Sequence, residues 1–178
     1  MDQNLHLRFI RAAGLGTRPT QLEVIEAVRA IPHGRPRERS ANGVVDDWRG
    51  TCSTKHLLLR ELLPDANICL VHRVFLLTRE PARRWLGNEI ADIVPPEGTV
   101  DVHTYATGVI DGCRIVMDVT FPGGAAWDGR SDMTIPFPGG KDFDAGNDPI
   151  ASKEELIRRH CDTVTRERLI AAISLPPR

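Results

Sequence analysis

Two strand-like stretches on either side of Asp111-Gly112 constrain the fold of this chain more than any other feature. Residues 100–110 predict one strand, and residues 113–120 predict the strand that returns after the turn. Asp-Gly is a preferred pair for a two-residue hairpin turn, because both positions tolerate positive φ. The pattern therefore predicts an antiparallel hairpin in which the residue before the turn faces the residue after it.

The register of this hairpin determines which side chains share a face. In the predicted register Tyr105 lies opposite Asp118, and His103 lies opposite Thr120. These four polar side chains then occupy one face, and the Cβ atoms of His103 and Asp118 become diagonal neighbours within about 5–8 Å. The other face is apolar and predicted to be buried; it carries Val102, Ala106, Ile110, Ile115, Met117 and Val119. A three-residue loop would break this parity.

Upstream of the hairpin, residues 50–63 predict a buried helix with a cysteine in its first turn. Gly50 permits a sharp approach, and Thr51 or Ser53 can cap the first N–H groups. One face of the helix is apolar, and the helix is expected to stop at the proline that follows it. A thiol at this position lies at the positive end of the helix dipole, which favours the thiolate. Cys52 is therefore a candidate nucleophile; the alternative is a small buried cysteine on a core helix.

The two stretches together supply the side chains that acyl transfer through a thioester requires. Cys52 attacks a carbonyl carbon, and His103 takes the thiol proton and returns it to the leaving group. Asp118 fixes the imidazole tautomer and stabilises its charged form. Backbone N–H groups at the helix start can hold the oxyanion.

The predicted substrate-binding residues surround these three. Trp48 and Ser53 flank the cysteine and are candidates for the second oxyanion donor or for the pocket lining, and Tyr105 shares the hairpin face of the histidine. We expect no cofactor. We also expect no metal, because the four cysteines form no CxxC pair and the aspartates of residues 121–149 lack the spacing of a calcium loop.

These motifs resemble the transglutaminase-like cysteine-enzyme superfamily. The resemblance covers residues 45–122: Gly-x-Cys at a helix start, a histidine on a later strand, and a next strand ending Met-Asp-Val-Thr-Phe-Pro. It implies a papain-like α+β fold, with the nucleophile helix packed on an antiparallel sheet, and a Cys52–His103–Asp118 triad. Ser53 and Lys55 follow the cysteine where animal transglutaminases often have an aromatic residue. That difference places the chain nearer the diverse bacterial members, which include peptidases, amidases and amide-forming enzymes.

The remainder of the chain predicts helices flanking this core within a single domain, residues 1–178. N-terminal helices are expected within 5–31, where Thr20 and Glu23 form a capping box. C-terminal helices are expected within 152–174, opened by a second capping box at Ser152.

Between these regions the sequence predicts strands and loops. Residues 67–78 predict a buried strand, and residues 121–149 predict a long irregular segment with a short strand at 133–135. Residues 33–42 predict a polar loop rich in arginine. That loop is either a solvated surface loop or a clamp for a phosphate or carboxylate group near the cysteine.

Charge and hydropathy narrow the classes of partner. The chain has 23 Lys and Arg residues against 24 Asp and Glu residues, so no general attraction to nucleic acid or to an anionic membrane follows. It lacks a membrane-spanning apolar run and a signal-peptide pattern, so we expect a cytoplasmic protein with reduced thiols. The expected partner is a small-molecule, peptide or carrier-bound acyl substrate.

Three alternatives remain open. His56 lies four residues after Cys52 on the same helix face and is an alternative base. Cys113 is an alternative redox partner, although the register places it on the face opposite His103. The chain is alternatively a non-catalytic transglutaminase-like binding module that has kept the three residues.

Overall fold

The computed structural model describes residues 3–122 and 127–173. Within them the chain has an α+β fold with eight α-helices and a four-stranded antiparallel sheet of order β3-β2-β1-β4. The helices are α1 (Gln3–Ala13), α2 (Gln21–Ala30), α3 (Ala41–Asp47), α4 (Cys52–Leu62), α5 (Arg79–Leu86), α6 (Asn88–Ile93), α7 (Pro149–His160) and α8 (Thr163–Ile173). The strands are β1 (Cys69–Leu77), β2 (Thr99–Ile110), β3 (Cys113–Met117) and β4 (Lys141–Asp144). The predicted α+β class is confirmed.

The hairpin of β2 and β3 has the predicted two-residue turn. Asp111 and Gly112 have φ values of 49° and 80°, and the ladder runs from Ile110–Cys113 to Ala106–Met117. The predicted apolar face is buried, with Ala106 and Met117 fully enclosed. The predicted strand from 113 to 120 is too long, since β3 ends at Met117, and the ladder does not include the predicted pairs Tyr105–Asp118 and His103–Thr120. Beyond that residue the chain leaves the ladder, because its N–H groups bond to side chains instead.

The chain divides into two compact units. Unit 1 comprises Met1–Leu70 and Thr104–Thr134, and unit 2 comprises Val71–His103 and Ile135–Arg178. The boundaries fall within β1 and within β2, so each of these strands contributes residues to both units.

Unit 1 is built around α4. Helices α2 and α3 both contact α4, and α1 contacts α3. The predicted apolar face of α4 is confirmed, because Leu58, Leu59 and Leu62 are almost wholly buried. They belong to a mainly aliphatic core that also contains Phe9, Ile25, Val28, Ile31 and Met117. Burial of this face is what fixes the position of the cysteine at the start of α4.

Contacts between helices, aromatic pairs and an ion pair join the elements of unit 2. Helix α6 contacts both α5 and α8. The Phe75 ring stacks on the Phe137 ring with centroids 4.6 Å apart. Arg166 of α8 donates a hydrogen bond of 2.8 Å to the Asp101 carboxylate, which attaches this helix to the start of β2.

The predicted N-terminal helices are confirmed, with their caps. Helix α1 ends at Ala13 and is followed by Gly14 in a left-handed conformation with φ of 66°. At the start of α2, the Glu23 N–H donates to the Thr20 hydroxyl, and the Thr20 N–H donates to the Glu23 carboxylate at 2.7 Å. This is the reciprocal capping box that the sequence predicts.

Two predicted boundaries in the C-terminal half are wrong. Helix α7 begins at Pro149 rather than near Ser152, because Asp148 accepts the Ala151 N–H and proline suits the first helical position. The predicted strand at 133–135 is absent from the described residues, and the fourth strand is β4, which pairs with β1. Residues 123–126 and residue 174, which those predictions included, lie outside the described residues.

Three helices were not predicted. Helix α3 lies in the stretch before the cysteine, and its N-cap Ser40 accepts the Gly43 N–H at 3.0 Å. Helices α5 and α6 occupy a stretch of mixed composition for which the sequence predicts no element. No helix in the described part of the chain combines the length and the apolar character needed to cross a membrane.

Candidate active site

The cysteine occupies the first position of α4, as predicted. Thr51 is the N-cap residue, and its N–H donates to the Thr54 hydroxyl at 2.9 Å. Cys52 is partly exposed, whereas the next four residues of the helix are buried. The thiol therefore lies in the first turn of an 11-residue helix, where the dipole favours negative charge.

The chain just before the cysteine is hydrogen-bonded to the segment that follows α2. The Gly50 N–H donates to the Pro32 carbonyl at 3.1 Å, and the Gly34 N–H donates to the Gly50 carbonyl at 3.1 Å. A Cβ atom on Gly50 would lie 2.6 Å from Cγ of Lys55. The absence of a side chain at Gly50 therefore allows the backbone to approach the buried Lys55 side chain closely, in agreement with the predicted sharp approach. Unusual backbone angles are not the reason for this glycine.

His56 joins the first turn of α4 to the chain that follows β3. Its ring is fully buried, and Nδ1 lies 2.6 Å from the carbonyl oxygen of Cys52. Nε2 accepts the Val119 N–H at 3.1 Å and lies 3.2 Å from the Met117 carbonyl oxygen. The neutral ring with its proton on Nδ1 donates to Cys52 and accepts from Val119. Both ring nitrogens are therefore engaged by the backbone, which argues against His56 as the base.

Lys55 makes a second connection between the same parts of unit 1. The side chain is fully buried. Its Nζ donates to the carbonyl oxygens of Arg29 at 2.9 Å, Ile31 at 2.8 Å and Thr120 at 3.0 Å. Lys55 and His56 of α4 are thus hydrogen-bonded to Thr120 and Val119, the two residues that directly follow Asp118.

Burial lowers the pKa of Lys55 from its ordinary value of 10.5 to about 7. The negative charge of Asp118 opposes this shift, Arg29 adds to it, and the charge of Cys52 opposes it as well. These are the charged groups that face the amine from α2, from α4 and from the segment after β3. The cost of burying the ammonium is therefore only partly offset by its acidic neighbours.

The lowered pKa predicts a stability that depends on pH. Between about pH 7 and 10.5 the unfolded chain binds the Lys55 proton and the folded chain releases it, so the free energy of unfolding should rise with pH. The slope from this group is about 1 kcal/mol per pH unit. Urea unfolding of the wild type and of Lys55→Met across this window measures it. A difference between the two proteins that does not change with pH would contradict the prediction.

Asp118 is held in place by the backbone of its own turn. The carboxyl group is buried and accepts the Thr120 N–H at 3.1 Å, and the Asp118 N–H points to Sδ of Met133 at 3.3 Å. Lys55 and His56 hold the residues on its C-terminal side. Cys52 and Asp118 therefore both belong to unit 1. Cys52 begins α4, and the residues after Asp118 are hydrogen-bonded to that helix.

The histidine of the predicted triad belongs to unit 2. His103 lies on β2 and is 3% exposed. Its ring meets the Phe137 ring edge-on, with centroids 5.3 Å apart. Its role as the base for Cys52 stays a prediction.

The three predicted substrate-binding residues all belong to unit 1. Ser53 and Tyr105 are buried. Trp48 ends α3 in a left-handed conformation with φ of 47°, and its half-buried ring lies 6.2 Å from the Phe9 ring of α1. The Trp48 ring therefore packs against α1. The binding roles of all three residues stay predictions.

Sequence reasoning missed Lys55, and it considered His56 only as an alternative base and not as a connection to the chain after β3. The sequence carried one signal for them: both are polar residues within the first two turns of a helix whose later positions are mostly leucine. If these positions are buried, each polar side chain needs a hydrogen-bond partner. Most of their partners could not be read from the sequence, because these backbone groups lie 24 to 65 residues away along the chain.

One arginine of the arginine-rich loop forms an ion pair with an acidic residue of α3. The Arg37 guanidinium binds the Asp47 carboxylate through Nε at 2.8 Å, and the Arg37 N–H donates to the same carboxylate at 2.6 Å. This partner holds the pKa of Asp47 below its usual range. Arg37 is thus engaged in fixing the loop to the end of α3, which argues against its use as a substrate clamp.

The remaining alternative partner, Cys113, lies at the hairpin turn and is exposed. No disulfide joins the four cysteines, all of which are described. Among residues 3–122 and 127–173, no group of three His, Cys, Asp or Glu side chains is placed to hold a metal ion. A scan against protein-family models finds no match, and searches of curated proteins and of solved structures find none either.

Proposed function

We propose that this protein is a transglutaminase-like cysteine enzyme that forms an acyl-thioester on Cys52. The observation that carries the proposal is the arrangement within unit 1: a partly exposed thiol begins α4, and two side chains of that helix hold the segment that presents Asp118. Such an arrangement gives a nucleophile and a carboxylate fixed positions relative to one rigid helix. The papain-like assignment of the fold is part of this proposal.

In the proposed reaction, the Cys52 thiolate attacks the carbonyl carbon of the acyl donor. His103 accepts the thiol proton and delivers it to the leaving group when the bond between the acyl carbon and that group breaks. Asp118 orients the imidazole and stabilises its charged form. N–H groups at the start of α4 stabilise the oxyanion, with Ser53 or Trp48 as the second donor.

The acceptor decides the product. Attack by water on the thioester gives hydrolysis of an amide, whereas attack by an amine gives a new amide. The substrate in either case is a small molecule, a peptide or a carrier-bound acyl group. Tyr105, on the β2 strand two residues after His103, is the proposed contact for the acyl chain.

The order in which the four cysteines react tests this proposal. Cys69 and Cys113 are exposed, Cys52 is only partly exposed, and burial raises the pKa of Cys161 to about 11. Accessibility alone would therefore place Cys52 behind two other thiols. An activated nucleophile reverses that order, so iodoacetamide at about pH 6 should label Cys52 first. Peptide mapping by mass spectrometry measures the rates, and faster labelling of Cys69 or Cys113 would count against the proposal.

A further inference from the structure

Lys55 is a buried ammonium placed between the nucleophile and the segment that carries Asp118. Its three N–H groups meet three carbonyl oxygens, from Arg29, Ile31 and Thr120, all within 3.0 Å. An ammonium has three donors and no acceptor, whereas a neutral amine has only two N–H groups. The geometry therefore fits the charged form, and loss of the proton would leave one carbonyl without a donor.

The charged groups around Lys55 are those of the proposed site. Cys52 lies one helical turn before it on α4, Asp118 faces it from the segment after β3, and Arg29 faces it from α2. A negative charge on Cys52 or on Asp118 favours the ammonium. Because a Coulomb interaction is mutual, the ammonium favours the thiolate of Cys52 and the carboxylate of Asp118 to the same extent.

We propose that Lys55 is a positioning residue for Cys52, which holds the Asp118 segment against α4 through its carbonyl contacts and supplies the buried positive charge that favours the Cys52 thiolate. The inference rests on the proposed function, since it assigns the ionisation of the same thiol. Lys55 itself does not touch the substrate. It acts through the charge of its neighbour and through the position of the Thr120 carbonyl.

The positive charge of Lys55 distinguishes a positioning residue from one that only fills space in the core. Burying an ammonium is costly, and an apolar side chain of similar volume would fill the same space without that cost. The chain instead keeps a group that can serve all three carbonyls and that carries a charge next to the thiol. Replacement by glutamine retains a hydrogen-bond donor and removes the charge, whereas replacement by methionine removes both.

The rate of Cys52 alkylation by iodoacetamide as a function of pH tests the proposal. In Lys55→Gln and Lys55→Met the midpoint of this profile should rise by about one pH unit, and the rate at about pH 6 should fall about tenfold. Lys141→Met, at an exposed lysine on β4, is the matched control and should leave the profile unchanged. A wild-type profile in folded Lys55→Gln would overturn the proposal.

A reciprocal measurement needs no substitution of the lysine. The titration of Lys55, followed by NMR of its side chain, should have a lower midpoint in Cys52→Ala than in the wild type, because the thiolate no longer favours the ammonium. Identical midpoints would overturn the proposed coupling. If Lys55→Gln shifts the alkylation profile while the wild type forms no acyl adduct, the proposed function fails and the coupling stands.

Discussion

Replacement of His103 by alanine is expected to slow alkylation of Cys52 at about pH 6 by at least about tenfold, and to slow acyl transfer by about 10²–10⁴-fold. The physical reason is the loss of the group that takes the thiol proton. Without it the thiol stays protonated at this pH, and the leaving group receives no proton when its bond breaks. Alkylation followed by peptide mapping measures the first effect, and turnover of an activated acyl donor measures the second.

A second histidine variant serves as the control for this experiment. His160 is exposed at the end of α7, where its ring lies 6.3 Å from that of Phe143. His160→Ala removes the same side chain from the same unit and should leave both rates unchanged. If His103→Ala and His160→Ala behave alike, His103 is not the base, and the assignment of the triad is wrong.

Replacement of His56 by alanine is expected to lower the free energy of unfolding by about 2–4 kcal/mol. The fully buried ring is engaged at both nitrogens, so its removal leaves a cavity and deprives the Val119 N–H and the Cys52 carbonyl of their partner. Urea unfolding at neutral pH measures the loss. A change within about 0.5 kcal/mol, the usual range for exposed positions, would show that the connection does not contribute to stability.

Two more conservative variants test the contacts of Nδ1 and Nε2 of His56 separately. His56→Asn places a donor near the position of Nδ1, and His56→Gln places an acceptor near that of Nε2, so each should recover part of the lost stability. In either folded variant the alkylation rate of Cys52 should stay within about threefold of the wild type, since His56 is not the base. A loss as large as that of His103→Ala would instead identify His56 as the base.

The sequence could predict the hairpin and the nucleophile helix because both are determined by local chemistry. Asp111-Gly112 supplies the two positive φ angles that a two-residue turn requires, and this turn sets the parity of the paired strands. Leucines at helical spacing fix the buried face of α4, so the position of Cys52 at its start follows from nearby residues. Caps such as Thr20 with Glu23 are equally local.

Other features depend on contacts that are distant along the chain. β3 stops at Met117 because the Val119 N–H bonds to His56, and nothing in the strand itself signals that end. The buried state of Lys55 depends on carbonyls from α2 and from the segment after β3. The start of α7 differs from these features because it depends on local chemistry. Asp148 caps the helix and Pro149 begins it, whereas the capping box predicted at Ser152 lies within the helix.

The proposed reaction requires that Cys52 carry an acyl group as a thioester. Intact mass spectrometry of the wild type treated with p-nitrophenyl acetate should show one acetyl adduct, which peptide mapping should place on Cys52. Neutral hydroxylamine should remove it, as it removes thioesters, and Cys52→Ala should not acquire it. An adduct that resists hydroxylamine, or one that Cys52→Ala acquires at the same rate, would contradict the account.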